Sequence, residues 1–335
     1  MLSRGEYNGQ IDGQNDDQNW ESLLRPTGFE DYIGQDSIKK SLRIILDAAN
    51  KRNEPSDHLL FYGQAGLGKT TLAHIVAKEM GGNFKVTSGP AIEKTGDLAA
   101  ILTNLEPGDI LFIDEIHRLN RMIEEVLYPA MESRNLNIIL GKGPSARTLS
   151  LDLPPFTLVA ATTRVNLISG PLRSRFGATF RLDYYNVSDI SEIIRRSARI
   201  LGVDIEPGAI DTLARASRFT PRTANRLLKR ARDIVEVQDL PAINTSSLKE
   251  LFNILDLDEM GLEYQDRRLL KILSEQFAGG PAGINALSAA LGEEKGVIEE
   301  VYEPYLIKMG LIKRTSSGRM LTPEAEDYLE LGKKI

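Results

Sequence analysis

The chain has 335 residues, a net charge of −6, no cysteine and three histidines. That length points to two or three domains, and the lack of cysteine excludes a disulfide framework, a thiolate metal site and a thiol nucleophile. His58, His74 and His117 lack ligand spacing, no apolar run approaches a membrane span, and no signal-peptide core opens the chain, so a cytoplasmic location is expected.

In chain order, residues 1–23 are rich in Gly, Asn, Gln and Asp and predict a disordered tail. Order is expected from Leu24-Arg25-Pro26 and Tyr32-Ile33-Gly34-Gln35, followed by an amphipathic helix from Asp36 to about Lys51. His58 to Tyr62 then reads as a buried strand, and Gly63-Gln64-Ala65-Gly66-Leu67-Gly68-Lys69-Thr70 fits the phosphate-loop pattern without a mismatch. From Thr71 to Met80 the apolar residues Leu72, Ile75, Val76 and Met80 recur at helical spacing, so the loop has its required strand before it and helix after it. In that arrangement the backbone N–H groups of the loop and the helix start face phosphates. Lys69 reaches the β- and γ-phosphates, and the Thr70 hydroxyl ligates Mg²⁺.

Further strands are predicted at 84–87, 110–114, 156–161 and 178–182, which with 58–62 make a parallel α/β sheet across 24–185. The run Ile110-Leu111-Phe112-Ile113 delivers Asp114 and Glu115 at a strand's C-terminal end, where ligands bind in open α/β sheets. Asp114 suits the Mg²⁺ shell and Glu115 the attacking water. Two strand-like runs around Gly141-Lys142-Gly143-Pro144 predict an inserted hairpin over 136–151. Leu136, Ile138 and Leu140 alternate on it, so one apolar face is available either to a partner or to the protein's own core.

Residues 186–256 show helical periodicity and many arginines, predicting a small helical domain. Most of those arginines read as a solvated face, whereas Thr220-Pro221-Arg222 places Arg222 in the first turn of a new helix. Over 259–335, helices at about 265–277, 284–291 and 295–309 precede strand-like runs on either side of Ser316-Ser317-Gly318, which predicts a winged helix. From Leu262 onward ten basic residues stand against twelve acidic ones. Any DNA contact is therefore local, at Lys308, Lys313, Arg314 and Arg319 around the wing, the other reading being a protein-binding winged helix with solvated charges.

Together, PTGFEDYIGQ, the phosphate loop, SGPAIEKTGDLAAILTNLEPGDILFIDEIHRLN, EEVLYPAMES, GKGPSARTLSLDLPPFTLVAATTR, PLRSRFG, TPRTANRLLKR and EEVYEPYLIKMGLIKRTSSGR resemble the RuvB family, the bacterial Holliday-junction branch-migration motors of the AAA+ class. The resemblance runs from Leu24 to the C-terminus. It implies an AAA+ ATPase domain, a small helical domain and a winged-helix DNA-binding head, with ATP and Mg²⁺ as cofactors and homohexamers around duplex DNA. RuvA is implied as partner at a four-way junction, docking on the hairpin, and RuvC as partner in the resolution complex. Arg175 matches the arginine finger that reaches a neighbouring subunit's nucleotide, with Arg173 the competing candidate. Thr163 matches the polar sensor, with Thr162 the alternative, and Arg222 matches the sensor arginine. Leu24, Arg25, Ile33 and Tyr185 correspond to the base and ribose surroundings, Gly66, Leu67, Gly68, Lys69, Thr70 and Thr71 to the phosphate cradle, and Arg314 and Arg319 to the DNA-contacting wing.

The chain departs from the family pattern at two places. Gln64-Ala65 replaces two prolines, and Phe219 replaces a glycine before Thr-Pro-Arg, which strains the backbone if that position needs positive φ. Two other readings are a different AAA+ DNA-processing ATPase, such as a clamp loader or replication initiator, and a non-hydrolysing, nucleotide-regulated DNA-binding module. The hairpin and wing arginines speak against the first, Glu115 and Arg175 against the second.

Overall fold

The computed structural model describes residues 15–140 and 147–332. It forms two compact units, one running through Ile200 and including Thr220–Arg222, the other comprising Leu201–Phe219 and the chain from Thr223 onward.

The first unit is built on a five-stranded parallel sheet of β1 (Leu59–Tyr62), β2 (Phe84–Ser88), β3 (Ile110–Asp114), β6 (Thr157–Thr162) and β7 (Ala178–Arg181), in the order β2-β3-β6-β1-β7. Continuous apolar runs suit strands covered on both faces: every residue of β6 and the first four of β3 are buried. The order places β6 between β1 and β3, with Tyr62 in register with Thr162 and Ile113 with Ala160. The phosphate loop after β1, the carboxylates ending β3 and the threonines ending β6 therefore emerge on three adjacent strands, at the end where open sheets bind ligands.

The inserted hairpin is an antiparallel pair, β4 (Asn135–Leu140) and β5 (Arg147–Asp152), with Leu136 opposite Leu151 and Ile138 opposite Leu149. Leu136 is fully buried in the sheet's core cluster with Leu151 packed against it, so at its base this apolar face turns to the protein's own core. Two register pairs further out, Leu149 is 41% exposed. The Gly141–Pro144 turn lies outside the described residues, as do the side chains of Ile138 and Leu140.

The tail expectation needs correction from Asn15, because Asn15–Leu24 is a helix whose last residue is buried. The part of the tail before Asn15 lies outside the described residues. The helix Val187–Leu201, expected to open the small domain, belongs through Ile200 to the first compact unit. The physical reason is its attachment: Ile190, Ile194 and Ala198 are buried, and Arg196 Nη1 donates to the Leu24 carbonyl at 2.8 Å.

The second unit contains helices Pro207–Ala216 and Thr245–Ile254, most of the helix Pro221–Val237, and the winged-helix elements. In these last, helices Tyr264–Phe277, Ile284–Leu291 and Glu303–Lys308 pack Leu269, Leu270, Leu273, Leu287 and Leu306 against a two-stranded wing, β8 (Ile312–Thr315) and β9 (Gly318–Leu321). A π turn, Ile298–Tyr302, leads into the third helix, and a further helix not expected from the sequence, Pro323–Gly332, follows the wing.

Arg218 and Phe219 both have φ 54°, the left-handed region in which residues with a Cβ are uncommon. The strain anticipated at Phe219 is thus present, and packing opposes it. The Phe219 ring lies 6.3 Å from that of Tyr305, with Lys308 Nζ 5.8 Å from its centre. Arg218 stacks on Tyr305 at 4.5 Å and binds the buried Asp266 at 3.1 Å.

Candidate nucleotide site and wing

The phosphate loop closes around its own lysine. Lys69 opens the helix Lys69–Met80, and its Nζ donates to the carbonyls of Gly63 at 2.8 Å and Gln64 at 2.9 Å. Burial lowers the amine below its ordinary pKa, while the charges of Glu115 and Asp114 pull it back up and that of Arg222 lowers it further. Gly68 shows why the loop needs glycine, since it has φ 97° and a Cβ there would meet the Tyr32 hydroxyl at 2.6 Å. Tyr32 and Tyr185 fasten the loop from behind. Each hydroxyl reaches the Leu67 carbonyl, at 3.3 and 3.4 Å, and Tyr185 donates to Tyr32 at 3.1 Å. Thr70 and Thr71 follow in the first helical turn, half-buried.

Asp114 ends β3 half-buried. Burial raises its carboxyl, and the hydrogen bond at 2.9 Å from the Glu115 N–H lowers it again. Glu115 has left-handed backbone geometry, φ 48° and ψ 45°. Its Oε2 accepts from Thr163 Oγ1 at 3.2 Å and lies 3.1 Å from His117 Nδ1. The two candidate threonines thus part company: Thr163 touches Glu115, whereas Thr162, fully buried, lies 2.8 Å from His117 Nδ1 and accepts from the Arg164 N–H.

Arg222 stands at the loop as well. Its N–H reaches the Gly66 carbonyl at 3.4 Å, and its Nε pairs with Glu21 at 3.3 Å. Leu24 is buried and Ile33 half-buried. Arg25 bonds His74, whose pKa burial lowers to about 4 with the Arg25 charge adding to the effect.

The proposed finger is tied within its own chain. Arg175 Nη2 pairs with Glu132 at 3.0 Å, Nη1 donates to the Pro171 carbonyl at 2.6 Å, and the guanidinium stacks on Tyr128 at 4.4 Å. Its side chain is 21% exposed, whereas Arg173 is exposed.

At the wing, the expectation of two solvent-facing arginines needs revision. Arg319 is buried and bonded through Nε and Nη2 to Glu303, itself buried, and through Nη2 to Glu299 at 2.9 Å. Arg314 also binds Glu303 but keeps 52% of its side chain exposed. A buried carboxylate demands cations, and Glu303 draws both arginines to it.

A donor-lined glycine loop at a helix start suits a nucleoside triphosphate. Thr70 and Asp114 suit Mg²⁺, which protein sites commonly hold by one or two carboxylates together with substrate phosphates. Loop, carboxylates and threonines on adjacent parallel strands define a P-loop ATPase of the AAA+ class. Matches to known families agree with that geometry and refine it. The family "Holliday junction DNA helicase RuvB P-loop domain" matches residues 24–182, "RuvB AAA lid domain" matches 185–258, and "RuvB C-terminal winged helix domain" matches 259–330. Among solved structures, the chain is similar to the Thermotoga maritima RuvB Holliday junction branch migration motor. Identity is 48% over 92% of this chain and 98% of that one, with a TM-score of 0.84. A mutant of Thermotoga maritima RuvB matches at the same identity and coverage with a TM-score of 0.85. The chain belongs to the RuvB family.

Sequence reasoning singled out neither Tyr32 nor His117 as part of this site. Tyr32 had a signal in its neighbours, since it directly precedes Ile33; His117 had one in standing two residues past Glu115.

Proposed function

We propose that the chain is an ATP-driven DNA translocase that migrates the branch point of Holliday junctions, working in the cytoplasm as homohexameric rings around duplex DNA beside a RuvA-bound junction, with RuvC joining for resolution. The observation that carries the hydrolytic part is Glu115, at the end of β3 and hydrogen-bonded to Thr163 from the neighbouring β6. A chain that only bound nucleotide would not need a carboxylate held there.

In this reading the N–H groups of Gly66 to Thr71 and the Lys69 amine receive the phosphates, while Leu24, Arg25, Ile33 and Tyr185 surround base and ribose. Thr70 and Asp114 would hold Mg²⁺, which when bound offsets charge on the phosphate oxygens. Glu115 orients the attacking water and Thr163 steadies Glu115. Arg222 reports the state of the loop to the helix it begins. Arg175 leaves Glu132 to reach the neighbouring subunit's phosphates, so each site is completed only on assembly. The hairpin supports docking on RuvA through the apolar face that continues past its buried base to Leu149. Arg314, half exposed on β8, is the better placed of the two wing arginines to meet a DNA phosphate.

Phosphate release measured on four-way junctions and on linear duplex, with and without RuvA, tests the proposal. Stimulation by junction DNA, further raised by RuvA and accompanied by strand exchange on gels, is expected. Mixing Arg175→Ala with Lys69→Ala subunits should restore part of the activity each lacks alone. Hydrolysis indifferent to DNA, or no recovery at any mixing ratio, would overturn the translocase reading or the trans finger respectively.

A further inference from the structure

We propose that His117 is a positioning residue for the hydrolytic step, holding the Glu115 carboxylate in its working orientation together with Thr162. The inference deepens the proposed function and rests on the reading of Glu115 as the residue that orients water.

The geometry is local and specific. His117 sits in the short 3₁₀ turn Ile116–Arg118 that follows Glu115. Its Nδ1 faces two oxygens, Glu115 Oε2 at 3.1 Å and Thr162 Oγ1 at 2.8 Å. A ring nitrogen presenting its lone pair to a carboxylate would be repelled, so Nδ1 carries the proton and donates. Thr162 Oγ1 then accepts twice, from His117 and from the Arg164 N–H at 2.9 Å, and anchors the imidazole to the end of β6. Burial holds the imidazole below its ordinary pKa, against the opposing charges of Glu115 and Asp114 and with those of Arg164 and Arg118. The ring is therefore a neutral donor at physiological pH.

Thr163 donates to Glu115 Oε2, and His117 Nδ1–H lies 3.1 Å from the same oxygen. Fixing one oxygen from two directions fixes the plane of the carboxylate, which determines where Oε1 points. The left-handed backbone at Glu115 adds to the case, because such geometry persists only where surroundings over-determine it, and it clusters at active sites. An ordinary core histidine would satisfy its ring on backbone groups, as His58 does with the Met131 carbonyl and the Leu158 N–H. His117, its side chain only 9% exposed, turns Nδ1 instead to Thr162 and to the acid beside it.

The test measures kcat and ATP affinity of the full chain assembled on junction DNA. His117→Leu should lower kcat by roughly ten- to a hundred-fold, the scale on which small misplacements act, with ATP affinity unchanged. His117→Asn, whose amide N–H can occupy the place of Nδ1–H, should recover most of that loss. Thr162→Val, which keeps the shape of β6, should give a smaller loss of the same kind. In a Glu115→Gln background neither His117→Leu nor Thr162→Val should cost anything further, because there is no carboxylate left to orient. Wild-type kcat in both His117→Leu and Thr162→Val beside an inactive Glu115→Gln would sink this inference alone, as would a parallel loss of ATP affinity or full additivity with Glu115→Gln. Normal turnover in Glu115→Gln would remove the reading on which it rests.

Discussion

Lys69 in the phosphate loop and Arg319 on the wing are both 7% exposed cations, yet they face different things. Lys69 is held by two neutral carbonyls, and the acids Asp114 and Glu115 act on it only through space. Its charge lacks a direct counter-ion among the described residues, and burial lowers its pKa. Burial alone would also lower the Arg319 guanidinium, but hydrogen bonds to Glu303 and Glu299 more than reverse that. In the proposed function the first cation is held ready for an anion from outside, whereas the other has already found its anions inside. Burial marks both as important; the partners tell which is a site and which is a bolt through the fold.

The strongest way to break the comparison is at the loop. Glu115→Gln should lower kcat by roughly 10²- to 10⁴-fold, the range of general-base contributions, with ATP affinity retained. Lys69→Ala should instead weaken ATP binding by about ten- to a hundred-fold, as expected for loss of a charged hydrogen bond of roughly 1.5–3 kcal/mol. Its unfolding free energy should hold or rise, since a desolvated amine is removed. Nucleotide titration beside denaturant unfolding separates these outcomes, and a destabilised Lys69→Ala would make Lys69 a bolt as well.

At the wing the order reverses. Arg319→Ala leaves the buried Glu303 with a single arginine, so a stability loss of about 3–5 kcal/mol is expected, with the cost falling on folding rather than on ATP hydrolysis without DNA. Chemical denaturation checks it, and wild-type stability would return Arg319 to the list of free DNA contacts. Arg314→Ala sharpens the contrast. Its guanidinium is half exposed and Arg319 remains on Glu303, so a smaller stability loss than for Arg319→Ala is expected, while its loss should flatten the salt dependence of duplex affinity by about one log–log unit.

The smallest effect concerns pH. His74 has its folded pKa lowered by burial to about 4, below the unfolded value near 6.5. Its contribution is fully present above pH 6.5 and is lost as pH falls from there through 4. In His74→Gln, which keeps an acceptor for Arg25, the acid limb of stability should flatten by the binding of one proton, and an unchanged limb would contradict the burial effect.

The sheet and the phosphate loop were legible because continuous apolar runs and a spaced motif are local signals. The central strands fall within a residue of expectation, since nothing but a covered strand suits Ile110 to Ile113 or Leu158 to Ala161. Long-range pairings were not legible. The Tyr185–Tyr32 bond joins residues 153 apart, and His117 meets Thr162 across 45. Charge type alone could not separate Arg319 from Arg314, because the difference lies in Glu303, which a local scan reads as a solvated helix acid. Leu136 shows the same limit, since alternation gives the face of a strand but not what covers it. The helix Asn15–Leu24 escaped because its polar composition matches a tail, while its end is buried at Leu24 and Glu21 binds Arg222.

Phe219 has a bearing on how this chain can vary over time. Its backbone would suit glycine, but its ring sits with Tyr305 and Lys308, so any replacement is judged on two counts. Glycine would relax the backbone and leave a gap beside Tyr305; a larger or β-branched residue would fill space while deepening the strain. Residues 219 and 305 are therefore coupled through their packing, and a change at one alters which side chain suits the other.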